Sequence, residues 1–149
     1  MQKNQSADRV FQITCDGTIG ASEWVRRGCY DYADQAFTDE LFPIQAHPKA
    51  IRTVELVELD WSGSYSLCVP LRRLGLALPT HEDTFIFGAT HRELKTRPII
   101  FPHQEVRLVG CDFSTMICTR HRRELLLHLA SNAVDSHYFI AGVREEGAR

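Results

Sequence analysis

The chain has 149 residues, of which 44% are hydrophobic and 24% are charged, and its formal net charge is −2. This size fits one domain, and the apolar fraction is too high and the net charge too low for a disordered chain. Proteins that bind nucleic acid or anionic membranes usually carry an excess of basic residues. Because that excess is missing, the composition predicts neither partner. We expect one soluble globular domain over residues 1–149.

Both ends of the chain are short and polar. Residues 1–8 lack the apolar stretch of a secretory signal, and no segment is apolar enough to span a membrane. We expect residues 1–8 and 145–149 to be frayed. The five cysteines are odd in number, and no two have the spacing of a zinc-binding motif. Free cysteines in apolar segments are typical of a reducing compartment, so the expected location is cytoplasmic.

The first part of the chain predicts a strand followed by one long helix. Residues 10–15 alternate between apolar and polar side chains, as a β-strand does. A helix is expected from its N-cap, Ser22, to the residue before Pro43. Its basis is the recurrence of apolar residues every four positions from Val25 to Leu41.

The remaining segments predict more strands and a second helix. A hairpin is expected over residues 51–71, with a β-bulge at Leu56–Val57, where the apolar alternation changes phase. Residues 72–83 follow neither periodicity. Three further strands are expected, at residues 84–88, 98–101 and 105–113. A second helix over about 120–134 and a strand over 137–143 complete the chain.

This element order predicts an α+β domain. We expect a mainly antiparallel and curved sheet, with two helices packed on one face. Two arrangements are compatible with this order. One is a ferredoxin-like core with inserted strands, and the other is a sheet wrapped around the long first helix.

A basic segment at the predicted start of the second helix is a candidate anion site. Arg120, His121, Arg122 and Arg123 follow Thr119, a residue that can cap a helix. Cations are disfavoured at a helix N-terminus, whereas a bound anion would be held by both the backbone N–H groups and the guanidinium groups. The alternative is a helix that begins earlier, on which these residues form an ordinary exposed face.

The same predicted helix carries a candidate metal site. His121, Glu124 and His128 would share one helix face, and imidazole and carboxylate groups bind transition metals. The two histidines would be roughly 10 Å apart along the axis, so both side chains would have to bend inward to reach one ion. A solvated helix edge explains the same pattern.

Catalytic candidates are dispersed, because no phosphate-binding, dinucleotide-binding, zinc-protease or serine-hydrolase motif is present in the sequence. Two polar segments combine imidazole with carboxylate, and one cysteine precedes an aspartate at a strand end. These patterns contain the groups of acid–base or thiol chemistry. The candidate residues are His81, His91, Glu93, Cys111 and Asp112.

The sequence therefore favours a small binding module over an enzyme. We expect a homodimer or other homo-oligomer that binds a small anionic ligand or a protein partner, without a cofactor. One alternative is a cofactor-independent hydrolase or isomerase that uses the dispersed histidines and carboxylates. Another is an inhibitor or antagonist protein with an acidic face, since residues 30–60 are rich in acidic side chains and residues 92–123 in basic ones.

Overall fold

A computed structural model describes residues 9–58, 68–102, 107–108, 111–129 and 137–145. They form an α+β fold with a mixed sheet, and the α+β class is confirmed. In chain order, the elements are β1 (Val10–Cys15), α1 (Ala21–Arg27), β2 (Tyr32–Ala33), β3 (Ala50–Glu58), α2 (Cys68–Arg73), α3 (His81–Thr90), β4 (Ile99–Phe101), β5 (Arg107–Leu108), β6 (Cys111–Cys118), β7 (Glu124–Leu129) and β8 (Phe139–Glu145). None of the described helices is long and apolar enough to cross a lipid bilayer.

The sheet has the strand order β1-β3-β8-β4-β6-β7-β2, and β5 pairs with β6. Five of the seven pairings between described strands are antiparallel, while β4–β8 and β2–β7 are parallel. The sheet is therefore mixed rather than simply antiparallel. Neither the expected curvature nor the ferredoxin-like core is confirmed.

Both faces of the central strands are buried. Alternate residues of β8 belong to two hydrophobic clusters, with Ala141 and Val143 in one and Ile140 in the other. Helices α1 and α3 contribute to the first cluster, and Leu71 of α2 contributes to the second. Helices α1 and α3 therefore share one face of the sheet, and a third helix, α2, packs on the opposite face.

The predicted long first helix is wrong. Helix α1 ends at Arg27, and the chain then passes through Gly28 and Cys29 into the short strand β2. Cys29 has a φ of 50°, a left-handed conformation that interrupts a right-handed helix. The apolar residues beyond this point pack from a loop, where Phe37 and Phe42 are buried beside Phe85. A sheet wrapped around a long first helix is therefore not formed.

The types of two other elements are exchanged relative to the prediction. The segment expected to be a helix at 120–134 contains strand β7, whose residues pair in register with β6. The segment expected to be a strand at 84–88 is the centre of helix α3. In β7, the buried residues Leu125 and His128 are three positions apart, which imitates a helical pattern.

The expected hairpin and bulge are also wrong where the structure describes them. Residues 68–71 lie in helix α2, and residues 59–67 are outside the described part of the chain. The pairing of β3 with β8 runs without an extra residue through Leu56 and Val57. Consecutive residues from Val54 to Val57 are buried because this strand is covered on both faces, which accounts for the apparent change of phase.

Candidate functional site

Three side chains that can bind metal ions meet beside the end of strand β1. Cys15 is the last residue of β1, His47 lies in the loop before β3, and Glu82 is in the first turn of α3. One ligand atom from each lies within 4.8 Å of the other two. Within the described residues, no other group of three or more such side chains comes this close. We call these three residues the Cys15–His47–Glu82 cluster.

The position of Glu82 follows from the way helix α3 begins. The Thr80 hydroxyl accepts a hydrogen bond from the Asp83 backbone N–H at 3.1 Å, and the Asp83 carboxylate accepts one from the Thr80 N–H at 2.8 Å. This reciprocal capping fixes the first turn. Glu82 is the residue before Asp83, and its carboxylate is directed at the turn after β1. There it accepts a hydrogen bond from the Gly17 N–H at 2.7 Å.

The turn after β1 and the loop before β3, which carries His47, approach each other closely at Gly17. This residue has a φ of 74°, and a Cβ atom there would overlap the backbone carbonyl of Gln45. Glycine is therefore required by both the conformation and the space. The backbone N–H of His47 donates to the backbone carbonyl of Asp16 at 2.9 Å, which holds His47 next to the end of β1.

The His47 ring lies between two oxygen acceptors. Its Nε2 atom is 2.5 Å from a Glu82 carboxylate oxygen, and its Nδ1 atom is 2.7 Å from the Pro48 carbonyl oxygen. The hydrogen bond with Glu82, followed by that with Pro48, raises the pKa of His47. Without a metal, both contacts favour the doubly protonated imidazolium ring.

Cys15 is buried, and its thiol is 3.7 Å from the Ala50 carbonyl oxygen. Burial, together with the nearby carboxylates of Asp83 and Glu82, raises the pKa of the thiol to about 11. The thiolate is the nucleophilic form, so this environment opposes thiol catalysis. In addition, both ring nitrogens of His47 face oxygen atoms, and neither is placed to accept the Cys15 proton. The arrangement is therefore unlike a Cys–His catalytic pair.

A pocket of about 290 Å³ adjoins the cluster, and all three residues line it. Its wall also includes Arg52, whose guanidinium pairs with the buried Asp83 carboxylate at 2.9 Å. Burial of Asp83 raises the pKa of its carboxyl group, an effect that Arg52 opposes. This ion pair places one positive and one negative charge behind the pocket without adding net charge.

The histidine candidates named from the sequence lie far apart. His81 also lines the pocket, as the first residue of α3, whereas His91 follows the last residue of the same helix. The ten residues of α3 separate them by roughly 15 Å. His91 packs against the rings of Phe11 and Phe87, and Glu93 is exposed in the turn that follows. His91 and Glu93 line one pocket of about 370 Å³, but His81 does not share it.

The candidate pair Cys111–Asp112 lies at the start of β6, paired with β5. Asp112 is exposed, and the side chain of Cys111 is outside the described part of the structure. Neither residue lines a described pocket.

The proposed helical metal site of His121, Glu124 and His128 does not form, because the helix is absent. Glu124 and His128 are four residues apart on strand β7, a separation of roughly 13 Å. His121 is exposed in the preceding turn, whereas His128 is buried beside Tyr138. The site was inferred from helical spacing, which a strand does not provide.

The basic segment is a turn before β7 rather than a helix N-terminus. Arg120, His121 and Arg122 are exposed there and line a groove of about 630 Å³. Arg123 points elsewhere: its guanidinium donates to the carbonyl groups of Gly28, Gly88 and Arg92. Three of the four residues therefore remain together, but without the helix dipole that the prediction invoked.

None of the three residues of the cluster is among the sequence-based candidates. Cys15 resembled a small core residue, and His47 lay in a loop with no recognisable motif. Glu82 stood beside a named candidate, His81, in a segment interpreted as a polar loop. The spacing Thr80-x-x-Asp83 is a helix-start pattern and could have placed α3. No local pattern joins positions 15, 47 and 82.

Comparisons with known proteins give no relative from which to infer the role of this site. No family model matches the chain, and no match is found among curated proteins or solved structures. The geometry of the site is therefore the basis for assigning a function.

Proposed function

We propose that the protein is a metalloprotein whose Cys15–His47–Glu82 cluster binds one Zn²⁺-type ion. The observation that carries this proposal is the convergence of a sulfur, a nitrogen and a carboxylate oxygen, all within 4.8 Å, from three distant parts of the chain. Zinc ligands at 2.0–2.3 Å from the ion are roughly 3.3–3.8 Å from one another. A small inward movement of the side chains would reach this spacing.

Hydrogen bonds around the cluster support its use as a metal site. The Nδ1 atom of His47 faces the Pro48 carbonyl, so Nε2 is the nitrogen directed at the cluster. The Gly17 N–H holds one oxygen of Glu82, and the other oxygen lies beside His47. Metal-binding histidines and carboxylates usually have such outer contacts, which fix their orientation. The ion would replace the proton between His47 and Glu82.

The donor set favours zinc over calcium or magnesium. A thiolate and an imidazole are ligands for transition metals, whereas calcium and magnesium prefer oxygen atoms. A thiolate and a carboxylate together carry a charge of −2, which balances a divalent cation. The sequence alone predicted no cofactor, and the cluster is the reason for proposing one.

The number of ligands favours a reactive site over a structural one. Structural zinc sites usually have four protein ligands, while catalytic sites have three and leave one position for water. The cluster supplies three, and the adjoining pocket of about 290 Å³ gives a water molecule or a small substrate access. Zinc-bound water ionises near neutral pH and attacks carbonyl or phosphoryl groups. We therefore propose metal-assisted hydrolysis as the class of reaction.

Cobalt titration of the untagged protein tests the metal site. Cobalt(II) occupies zinc sites, and a thiolate ligand gives a charge-transfer absorption band in the near ultraviolet. We expect saturation at about one equivalent, with affinity reduced at least about 100-fold in Cys15→Ser, His47→Gln and Glu82→Gln. Cys29→Ser is the matched control, because Cys29 is exposed and outside the cluster.

Circular dichroism of each variant shows whether it is still folded. A folded Cys15→Ser protein that keeps the charge-transfer band would overturn the proposal, as would saturation well below one equivalent in the wild type. Azide addition then tests the open position, because an exchangeable ligand changes the cobalt spectrum. An unchanged spectrum would contradict the hydrolytic role while leaving metal binding intact.

A further inference from the structure

A second pocket lies apart from the Cys15–His47–Glu82 cluster and has different chemistry. This groove, of about 630 Å³, is formed by the residues before β4, the turn between β6 and β7, and the residues before β8. Its lining residues are Arg97, Pro98, Cys118, Arg120, His121, Arg122, Glu124, His137 and Tyr138. It shares none of them with the pocket beside Cys15. We call it the arginine groove.

The arginine groove is positively charged on a chain that is acidic overall. Its lining contains three arginines and one carboxylate. The whole chain has a formal net charge of −2. A cleft lined by one sign of charge concentrates ligands of the opposite sign.

The arginines of the groove differ in how they are held. Arg122 donates twice to one oxygen of Glu124, at 2.8 and 3.1 Å. Arg97 donates to Glu58 at 2.8 Å and stacks over the Phe139 ring at 5.0 Å. These contacts fix two guanidinium groups in place, and fixed donors lose less entropy on binding a ligand.

Arg120 is the cation of the groove that remains available. Among the described residues, it makes no hydrogen bond or ion pair, and its neighbour His121 makes none either. Both side chains are exposed at the groove wall. A guanidinium group donates two parallel hydrogen bonds to a phosphate or carboxylate group. The groove therefore combines positioned arginines with one whose donors are unused.

The groove also has an apolar part. Pro98, Tyr138 and Cys118 contribute to its lining, and each is partly buried. Its volume is within the range of about 300–1,000 Å³ that is typical of small-molecule pockets. A surface that binds only inorganic anions would not need an apolar wall. The combination fits a ligand with an anionic group at one end and a flat apolar body at the other.

We propose that the arginine groove binds a small organic anion, with a phosphate or carboxylate group on Arg120 and Arg122 and an apolar body against Tyr138 and Pro98. This binding site is separate from the proposed metal site, because the two pockets share no residues. It retains the anion site predicted from Arg120, His121 and Arg122, but the charges come from a turn and a groove rather than from a helix N-terminus.

Isothermal titration with phenyl phosphate tests this proposal on the metal-free protein. We expect phenyl phosphate to bind at least about tenfold more tightly than inorganic phosphate, because its ring buries apolar surface. Benzyl alcohol, which has the ring without the charge, should bind at least about tenfold more weakly than phenyl phosphate. Benzoate in place of phenyl phosphate shows whether a carboxylate serves as well as a phosphate.

Matched arginine variants locate the binding site. We expect Arg120→Gln to weaken phenyl phosphate binding about tenfold, while Arg73→Gln leaves it unchanged. Arg73 is an exposed arginine at the end of α2, outside the groove, so its loss changes the net charge equally. Equal effects of the two substitutions would overturn the proposal, since they would indicate non-specific attraction. Equal affinity for phenyl phosphate and inorganic phosphate would overturn the role of the apolar wall.

Tyr138→Ala gives a second measure of the apolar contact. This substitution should lower the affinity for phenyl phosphate and leave the affinity for inorganic phosphate unchanged. A single-stranded oligonucleotide whose affinity rises with its length, and exceeds that of phenyl phosphate, would contradict the small-ligand proposal.

Discussion

Arg123 joins three backbone segments that are distant in the sequence. Its guanidinium donates to the Gly28 carbonyl at 2.9 and 3.1 Å, to the Gly88 carbonyl at 2.7 Å and to the Arg92 carbonyl at 3.1 Å. It also lies over the Tyr30 ring, 4.8 Å from the ring centre. The last carbonyl groups of a helix have no hydrogen-bond partner within that helix. The Arg123 side chain supplies such a partner to Gly28, at the end of α1, and to Gly88, near the end of α3.

Replacing Arg123 by lysine should destabilise the fold although the charge is kept. A single ammonium group cannot reproduce a planar fork that reaches three carbonyl groups. We expect Arg123→Lys to lower the free energy of unfolding by about 2–3 kcal/mol, measured by urea denaturation. Arg122→Lys is the matched neighbour, and its largely exposed ion pair should make the loss no more than about 0.5 kcal/mol. Equal losses for the two variants would contradict the structural role of Arg123.

Tyr30 makes the stability sensitive to alkaline pH. Its hydroxyl is buried without a hydrogen-bond partner among the described residues, and burial raises the pKa of Tyr30 to about 12. Its pKa in the unfolded chain is about 10. The stabilisation from the protonated phenol is therefore complete below pH 10 and is lost as the pH rises toward 12.

The variant Tyr30→Phe isolates this effect. Between about pH 8 and pH 11, the wild type should lose about 1 kcal/mol more of its unfolding free energy than Tyr30→Phe does. Urea denaturation at each pH measures both proteins, and other titrating groups cancel in the difference. Parallel pH profiles for the two proteins would show that the Tyr30 hydroxyl does not titrate abnormally.

Helix α3 shows what local sequence could and could not reveal at the level of an element. Its start is encoded by the reciprocal capping of Thr80 and Asp83, a pattern visible in the sequence. Its interior is not encoded by amphipathic spacing, because every residue from Glu82 to Gly88 is buried. A helix that is covered on all sides lacks the polar face on which periodicity depends. The aromatic and β-branched residues at its centre therefore predicted a strand.

Gly88 determines how closely α3 approaches the loop that contains Tyr30. A Cβ atom on Gly88 would overlap the Tyr30 hydroxyl oxygen and would lie 3.2 Å from Ile117 Cδ1. Alanine at this position gains about 1 kcal/mol of helix propensity, but overpacking costs about 1–3 kcal/mol. We expect Gly88→Ala to destabilise the protein by about 1–2 kcal/mol.

Removal of the Tyr30 hydroxyl should rescue Gly88→Ala. In a Tyr30→Phe background, the overlap with the oxygen disappears and the helix-propensity gain remains. Thermal and urea unfolding of the two single variants and the double variant measure the coupling. If Gly88→Ala is equally destabilising in both backgrounds, the close approach of Tyr30 is not the cause.

At the scale of the whole molecule, the order of the predicted elements was sufficient for the α+β class, although several element types were wrong. The first strand was placed at its observed limits. The mixed strand order was not predictable, because parallel pairing such as that of β4 with β8 depends on contacts between residues far apart in sequence. The Cys15–His47–Glu82 cluster escaped prediction for the same reason. A cytoplasmic location and a homo-oligomer stay predictions.

The central place of β8 has a consequence for how the protein is made. This strand, Phe139–Glu145, pairs with β3 on one side and β4 on the other, so it joins the two halves of the sheet. During synthesis, β3 and β4 leave the ribosome long before their common neighbour and expose unpaired edges until it arrives. The complete sheet therefore assembles after translation of residue 145. A nascent chain stalled before Phe139 should depend on chaperones to escape aggregation.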